Sequence, residues 1–432
     1  MTPPKSGNEK MKRSVLMIAY ACDPKGIGEY WLGWGWAEQA ARAYRVDLIT
    51  TLHCRESVLE RAKACGIRVH FVGMPPWIRT LTGCFGGGGA LIQRFIWQNR
   101  AARLAERLHE ESKFDLVHQT TFHTFRVPFA CSRLDIPSVW GPIAGGESIP
   151  RGFIRYVHGG RLAESSRRLI NPLWLHFPPV ARSLRRASAI FVSNHTTLNF
   201  LPERIRGKCI VVPPNALRPE DEDLRPRAPK TRLPDAPLHL LYIGYCVPSR
   251  ALPLVFEALI RSGLKNYRLT VLGEGPALPS WKRMADRLGL TGPVEFKGKV
   301  PRGELSAYYA SADALVFPGL RDSGGSSLLE SMSRDLPVIC MDWAGPGEMV
   351  DEQSGIKIDV DDPDRAVKSL GEAFLRLQQN PGLGASLAGA ARERARTHFS
   401  WEEKFRLLAE TYERLLNRGE PEMRGLNQRT PG

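Results

Sequence analysis

Short, continuous apolar runs recur along the chain, separated by longer stretches with helical spacing. In the first half the runs lie at 14–20, 46–50, 67–72, 115–118, 138–140 and 189–193, with helical patterns at 31–43 and 91–112 between them. Continuous apolar runs are what parallel strands need when both faces of their sheet are covered. Their alternation with helices predicts an α/β doubly wound sheet. The first run follows Met11, Lys12 and Arg13, as the core of a signal peptide would. It is short, however, and Asp23-Pro24 ends it, so a buried first strand is expected.

The pattern stops at 216–237, where Pro219, Pro226, Pro229, Pro234 and Pro237 stand among charged residues. Such a segment has no apolar stripe to bury and reads as a linker. The alternation then restarts, with strands at 238–243, 268–272, 294–297, 314–317 and 338–341 and helices at 252–261 and 303–310. The expected organisation is a first domain at 12–215, a linker at 216–237 and a second domain at 238–400. A helix at 401–418 follows, expected to pack back on the first domain, and then a flexible tail at 419–432. A length of 432 residues suits this count of domains.

Composition narrows the class. With 43% hydrophobic and 24% charged residues, a disordered or fibrous chain is excluded. No apolar run approaches the ~18–20 residues of a spanning helix. The 8 cysteines form no CxxC and no zinc-like spacing, which fits reduced thiols in a cytoplasmic protein and no bound metal. Lys and Arg number 60 against 45 Asp and Glu, a net charge of +15 that favours acidic partners. Much of the excess sits at 151–186, in Arg151, Arg155, Arg161, Arg167, Arg168, Arg182, Arg185 and Arg186. Phe153, Leu169, Ile170, Leu173, Trp174, Leu175 and Phe177 are interleaved with them. Two readings follow: a segment that docks on an anionic membrane, or a solvated basic helix whose apolar residues pack on their own domain. A nucleic-acid partner is not expected, because no stacking platform or binding motif accompanies the charge.

Open parallel sheets bind ligands beyond the carboxyl ends of their strands. The segments that follow the runs carry Gly26 and Gly28, then His118, then Gly145, Gly146 and Glu147 in the first half. In the second half they carry Gly244, Tyr245 and Arg250, then Gly273 and Gly275, then Arg321, Asp322, Gly324, Gly325 and Ser326. Two such edges facing each other would form a cleft, a preferred ligand site. Gly324 and Gly325 precede a short helical pattern. Glycine allows close backbone approach, and a helix start offers free N–H groups to a diphosphate. Glu330, one turn in, suits ribose hydroxyls, and Asp322 suits a sugar hydroxyl or a developing positive charge. The competing reading is a capping box, Ser327-x-x-Glu330, with Glu330 a helix cap only.

Asp322-x7-Glu330 resembles the E-x7-E signature of retaining glycosyltransferases with the GT-B fold, family 4. The likeness extends in order through Tyr308 to Asp313, Ala314 to Pro318, Leu336-Pro337-Val338 and Gly345-Pro346-Gly347-Glu348. Val212-Pro213-Pro214-Asn215, Gly273-Glu274-Gly275-Pro276, Phe296-Lys297-Gly298, and Asp23-Pro24 with Gly28-Glu29 and Gly33-Trp34 add to it. The resemblance implies two Rossmann-like domains facing across a cleft. It implies transfer of a sugar from a nucleotide-diphosphate sugar to an acceptor hydroxyl, with retention, without metal or other cofactor. The setting would be polysaccharide or glycolipid assembly of bacterial type, with a lipid-linked saccharide as acceptor and a peripheral place on the inner membrane face.

By the same resemblance, Gly28, Tyr245, Arg250, Gly273, Gly275, Gly324, Gly325, Ser326 and Glu330 would bind the donor. His118 and Asp322 would be the catalytic pair, with His123 the second choice of histidine. Some positions depart from the family. Asp322 is a methylene shorter than Glu. Tyr245 takes the Arg place of an Arg-x4-Lys pair, leaving Arg250 in the Lys place; Arg321 or Lys25 would have to replace the missing charge. Asp335 stands where glycine is common. The alternatives are a sugar-nucleotide epimerase of the same fold and a catalytically weak GT-B scaffold. A nicotinamide oxidoreductase is disfavoured, because Trp31 replaces the third glycine of Gly26-x-Gly28-x-x-Gly.

Overall fold

A computed structural model describes residues 12–75, 77–78, 86–157, 159–222 and 236–417. Residues 223–235 of the expected linker and the expected tail at 419–432 lie outside the described residues, as does Cys84. The first sheet contains β1 (Ser14–Ala19), β2 (Arg45–Thr51), β3 (Arg68–Val72), β4 (Leu116–Gln119), β5 (Ser138–Ile143), β6 (Ala189–Val192) and β7 (Cys209–Val211). Their order is β3-β2-β1-β4-β5-β6-β7, and every pair is parallel. The second sheet contains β8 (Leu238–Ile243), β9 (Tyr267–Leu272), β10 (Val294–Gly298), β11 (Ala314–Phe317), β12 (Val338–Met341) and β13 (Gly355–Ile358). Their order is β10-β9-β8-β11-β12-β13, again all parallel. Two Rossmann-like α/β domains result.

The apolar runs and the central strands coincide because both faces of each sheet are covered. All six residues of β1 are buried, as are all four of β11 and β12. Two edge strands were not expected from the pattern. β7 has three residues, and β13 carries Lys357 among its apolar positions. Edge strands meet the core on fewer sides, so their apolar signal is weak. β5 also runs further than the pattern suggests, through Gly141 and Pro142 to Ile143, with its register against β6 shifting there.

In each sheet the order reverses beside the first strand of its domain. In open α/β sheets ligands bind at that point. β1 lies between β2 and β4, and β8 between β9 and β11. The loops leaving β1, β8 and β11 are therefore placed to form a site.

The helix Trp401–Leu416 returns to the first sheet. Trp401, Leu408, Tyr412 and Leu415 join the core around β1. Its start is capped by Ser400, whose hydroxyl accepts from the Glu403 amide at 3.2 Å. Trp401 lies edge-on to Trp36 at 5.9 Å, and a Cβ at Gly35 would overlap the Trp401 indole. Burying each such side chain contributes about 1.5–3 kcal/mol.

Candidate active site

The loop after β1, the chain after β7, and the loops after β8, β10 and β11 enclose a cleft of about 480 Å³. Gly28, Trp31, Asn215 and Arg218 line one wall. Gly244, Arg250, Lys299, Arg302, Ser326, Ser327 and Glu330 line the other. Gly28 has φ 56°, in the left-handed region, and starts the helix Glu29–Ala41; a side chain there would be strained. Gly324 lies against Asn215, whose side chain would have to shift to admit a Cβ there. Gly325 is the extended N-cap of the helix Ser326–Ser333. No side chain caps that start, so its amides are available. The Ser327 hydroxyl donates to the Ile243 carbonyl at 2.9 Å, so the capping box is not formed.

Glu330 is held elsewhere. Its Oε1 accepts from Arg302 at 2.6 Å and its Oε2 from the Tyr309 hydroxyl at 2.8 Å. Arg302 and Arg334 also reach Asp221, at 3.4 and 2.6 Å. Burial pushes the Asp221 carboxyl up, against the pull of Arg334. Asp322 lies in the turn before the helix, its Oδ1 accepting from the Gly324 amide at 3.2 Å. Arg250 pairs with its other oxygen. Burial raises the Asp322 carboxyl, while the Arg250 guanidinium opposes the rise.

The remaining expected residues divide. Gly273 and Gly275 do not line the cleft. Their φ values are 143° and 149°, and Cβ atoms there would strike the Gly244 and Cys246 carbonyls, so they let the β8 and β9 exits pack together. Tyr245 is 59% exposed and is not part of the wall. The expected substitutes for its missing charge do not serve. Lys25 pairs with Glu60 at 2.9 Å and Arg321 with Glu164 at 3.4 Å, both away from the cleft wall. Arg218 and Arg302 bring charge to the cleft instead. Arg218 lies 4.6 Å over the Trp31 ring and donates to the Gly26 carbonyl at 2.7 Å. Neither was singled out from the sequence, since Arg218 lies in the expected linker and Arg302 in a loop without a distinctive motif. Asp335 has φ 52° and pairs with Arg392 at 2.7 Å, which accounts for glycine being common at such a place.

His118 is a correction. It lies inside β4 and is wholly buried. Nε2 is 2.8 Å from the Gly141 carbonyl and Nδ1 is 2.7 Å from the Tyr412 hydroxyl. The carbonyl can only accept, so Nε2 carries the proton and Nδ1 accepts from Tyr412. Burial pushes the ring's pKa down to about 4. With both nitrogens engaged among Trp36, Phe191 and Tyr412, His118 has no access to a substrate. The sequence suggested a strand exit, but β4 continues one residue further and its side chain points into the core. His123 differs. It is half-buried, its amide donates to Glu29 at 2.7 Å, and its Nε2 has no partner among the described residues.

Among the described residues, no three His, Cys, Asp or Glu side chains gather as a metal-binding group. No helix among them is long and apolar enough to cross a membrane.

Comparison with known proteins adds to this geometry. Residues 226–394 match the family model "Glycosyl transferases group 1". The chain is 26% identical over 306 residues to the GDP-mannose-dependent alpha-(1-6)-phosphatidylinositol monomannoside mannosyltransferase of Mycolicibacterium smegmatis, covering 64% of this chain and 76% of that one. It is 28% identical over 337 residues to the D-inositol 3-phosphate glycosyltransferase of Thermobispora bispora, covering 72% and 73%. Its fold is similar to that of Anabaena HepE in complex with UDP-glucose, with TM-score 0.60, 13% identity, and 93% and 100% coverage. Both relatives are named as transferases, which disfavours the epimerase alternative. With a glycosyl transferases group 1 match over residues 226–394 of a two-domain GT-B fold, this chain is a glycosyltransferase.

Proposed function

We propose that this glycosyltransferase moves a sugar from a nucleotide-diphosphate sugar to an acceptor hydroxyl with retention, as family 4 enzymes do. The observation that carries it is the cleft itself. An uncapped helix start, Arg218, Arg250 and Arg302 face one diphosphate-sized space, with Glu330 beside it and Asp322 held by Arg250. Guanidiniums and helix-start amides stabilise the negative charge that grows on the leaving diphosphate. Glu330, held by Arg302 and Tyr309, would take the ribose hydroxyls. Asp322 would orient the sugar and offset positive charge at its anomeric carbon. The bond from that carbon to the diphosphate breaks as the bond to the acceptor oxygen forms on the same face. The acceptor proton passes to the departing phosphate oxygen. No metal or other cofactor is assigned a part.

Both named relatives are titled for acceptors that carry phosphate, one of them a lipid. A lipid-linked acceptor in glycolipid or polysaccharide assembly, met on the cytoplasmic face of a membrane, fits an exposed surface of the first domain. There the helix Arg161–Ile170 and the following turn Asn171–Leu175 leave Leu162 85%, Leu169 76% and Leu173 64% exposed. Arg161, at the start of that helix, and Arg182, Arg185 and Arg186, on the next helix along the chain, are also exposed. Phe153 is buried and Trp174 stacks on Phe95, so only part of the apolar set packs inward.

A thermal-shift screen with UDP, GDP, ADP, CMP and their sugars tests the donor half. A ligand at about 100 times its dissociation constant should stabilise by about 2.7 kcal/mol. One base should stand out, and Glu330→Ala should abolish its shift. Asp322→Ala should cut turnover at least a hundredfold while nucleotide affinity stays within a few-fold. Unchanged turnover in that variant would remove Asp322 from the mechanism.

A further inference from the structure

Beyond the cleft, three more guanidiniums gather at the seam between the domains. Arg126 and Arg167 come from the first domain, and Arg321 precedes Asp322 in the second. Arg126 and Arg167 both donate to the Gly145 carbonyl, at 3.1 and 3.2 Å, where Asn171 also donates at 2.8 Å. None of the three lines the nucleotide cleft.

Their charge is not matched. Three carboxylates lie nearby, Glu147, Glu164 and Asp322, and the last of these is paired with Arg250. Glu147 is occupied by the Gly145 amide, Asn194 and Thr197, at 2.8, 2.8 and 2.9 Å. Glu164 accepts from the Ile149 amide at 3.2 Å and faces Arg321 at 3.4 Å. Arg167 Nε is buried with no partner among the described residues. Burial and mutual repulsion lower the proton affinity of Arg126, to about 10, and of Arg167. Like charges in a poorly solvated place are costly unless an anion joins them.

From this excess we infer that Arg126, Arg167 and Arg321 form a second anion site, which takes a phosphate group on the acceptor. Planar guanidinium forks suit the several oxygens of a phosphate better than the two of a carboxylate. The place agrees with an acceptor. Arg321 is adjacent to Asp322, and Asn194 reaches the Ser323 carbonyl at 3.5 Å, so the site adjoins the reacting sugar. The helix that supplies Arg167 also exposes Leu162 and Leu169, so one element joins this exposed apolar face to the site. The inference rests on the transferase reading above for calling the ligand an acceptor.

The test titrates the full chain, with its selected nucleoside diphosphate bound, using glycerol 3-phosphate, glycerophosphoglycerol and plain glycerol. The first probe stands for a soluble phosphate monoester and the second for a lipid headgroup diester. Saturable binding of either phosphate probe is expected, with none for glycerol. Arg167→Gln and Arg321→Gln should each weaken it at least tenfold and leave nucleotide affinity unchanged, with Arg167→Lys intermediate. Whichever probe is preferred identifies the source of the phosphate. Absence of phosphate binding in the wild type, or equal binding in folded Arg167→Gln and Arg321→Gln chains, overturns the site. The nucleotide titration is read separately, so failure of the donor cleft and failure of this site are distinguishable.

Discussion

Single side chains in this protein take their roles from what their atoms can still reach. His118 and Glu330 both belong to family-like motifs, yet one is closed in the core and the other borders the cleft. His118 has its two nitrogens committed to Gly141 and Tyr412. Replacing it with Phe strands a buried carbonyl and a buried hydroxyl, at a cost of about 2–3 kcal/mol. Urea unfolding of His118→Phe should show that loss. Turnover, measured well below the melting temperature, should stay within a few-fold of wild type; a thousandfold loss would return His118 to the chemistry. The sign of its pH effect follows from its pKa of about 4 against 6.5 for a free histidine. Between those values the unfolded chain binds more protons, so stability falls as pH falls through that window. The Phe variant should lose that slope.

The helix Arg161–Ile170 has one side in the protein and another in solvent. Glu164 is buried and Arg167 half-buried, while Leu162 and Leu169, seven positions apart, stand outward. Seven residues are about two turns, so the two leucines share a face. If that face meets lipid, anionic vesicles should sediment the protein at low salt and less at high salt, because the arginine contribution is screened. Leu169→Asp with Leu173→Asp should reduce sedimentation at least tenfold without lowering the melting temperature, since both residues are exposed. Equal sedimentation of the double variant would exclude this surface as the docking face. The interleaving of Arg and apolar residues was visible in the sequence. Which apolar residues turned inward was not, because Phe153 and Leu169 look alike until their elements are packed.

At the level of the whole molecule, the helix Trp401–Leu416 ties the end of the described chain to the first sheet. Its Lys404 is buried, donates to the Pro213 carbonyl and lies 5.6 Å from the Trp36 ring. Burial lowers its pKa to about 7. From there to the ordinary lysine value the unfolded chain holds the extra proton, so stability rises with pH across that window. Between pH 7.5 and 9.5 this lysine should contribute a gain of about 2–3 kcal/mol. Lys404→Met should show a correspondingly smaller rise in urea unfolding over the same range. An identical rise in both proteins would mean that Lys404 is not neutral in the folded chain.

Much of this architecture could be known from residue order alone. Continuous apolar runs specify parallel strands because both faces of such a sheet must be dry, and glycines before a short amphipathic helix mark a place for close backbone approach. Those signals are local, so they survive in a sequence. They located β1, β8, β11 and the segment from Asp322 to Glu330. The weaker edge strands β7 and β13 lacked them. Contacts between distant segments leave no such trace. That Tyr412 closes His118, that Arg218 and Arg302 rather than Lys25 and Arg321 charge the cleft, and that Arg126, Arg167 and Arg321 meet at the domain seam all depend on chain folding. Hydrophobic period is set by near neighbours, whereas access, pairing and proton affinity are set by whatever packing brings into reach.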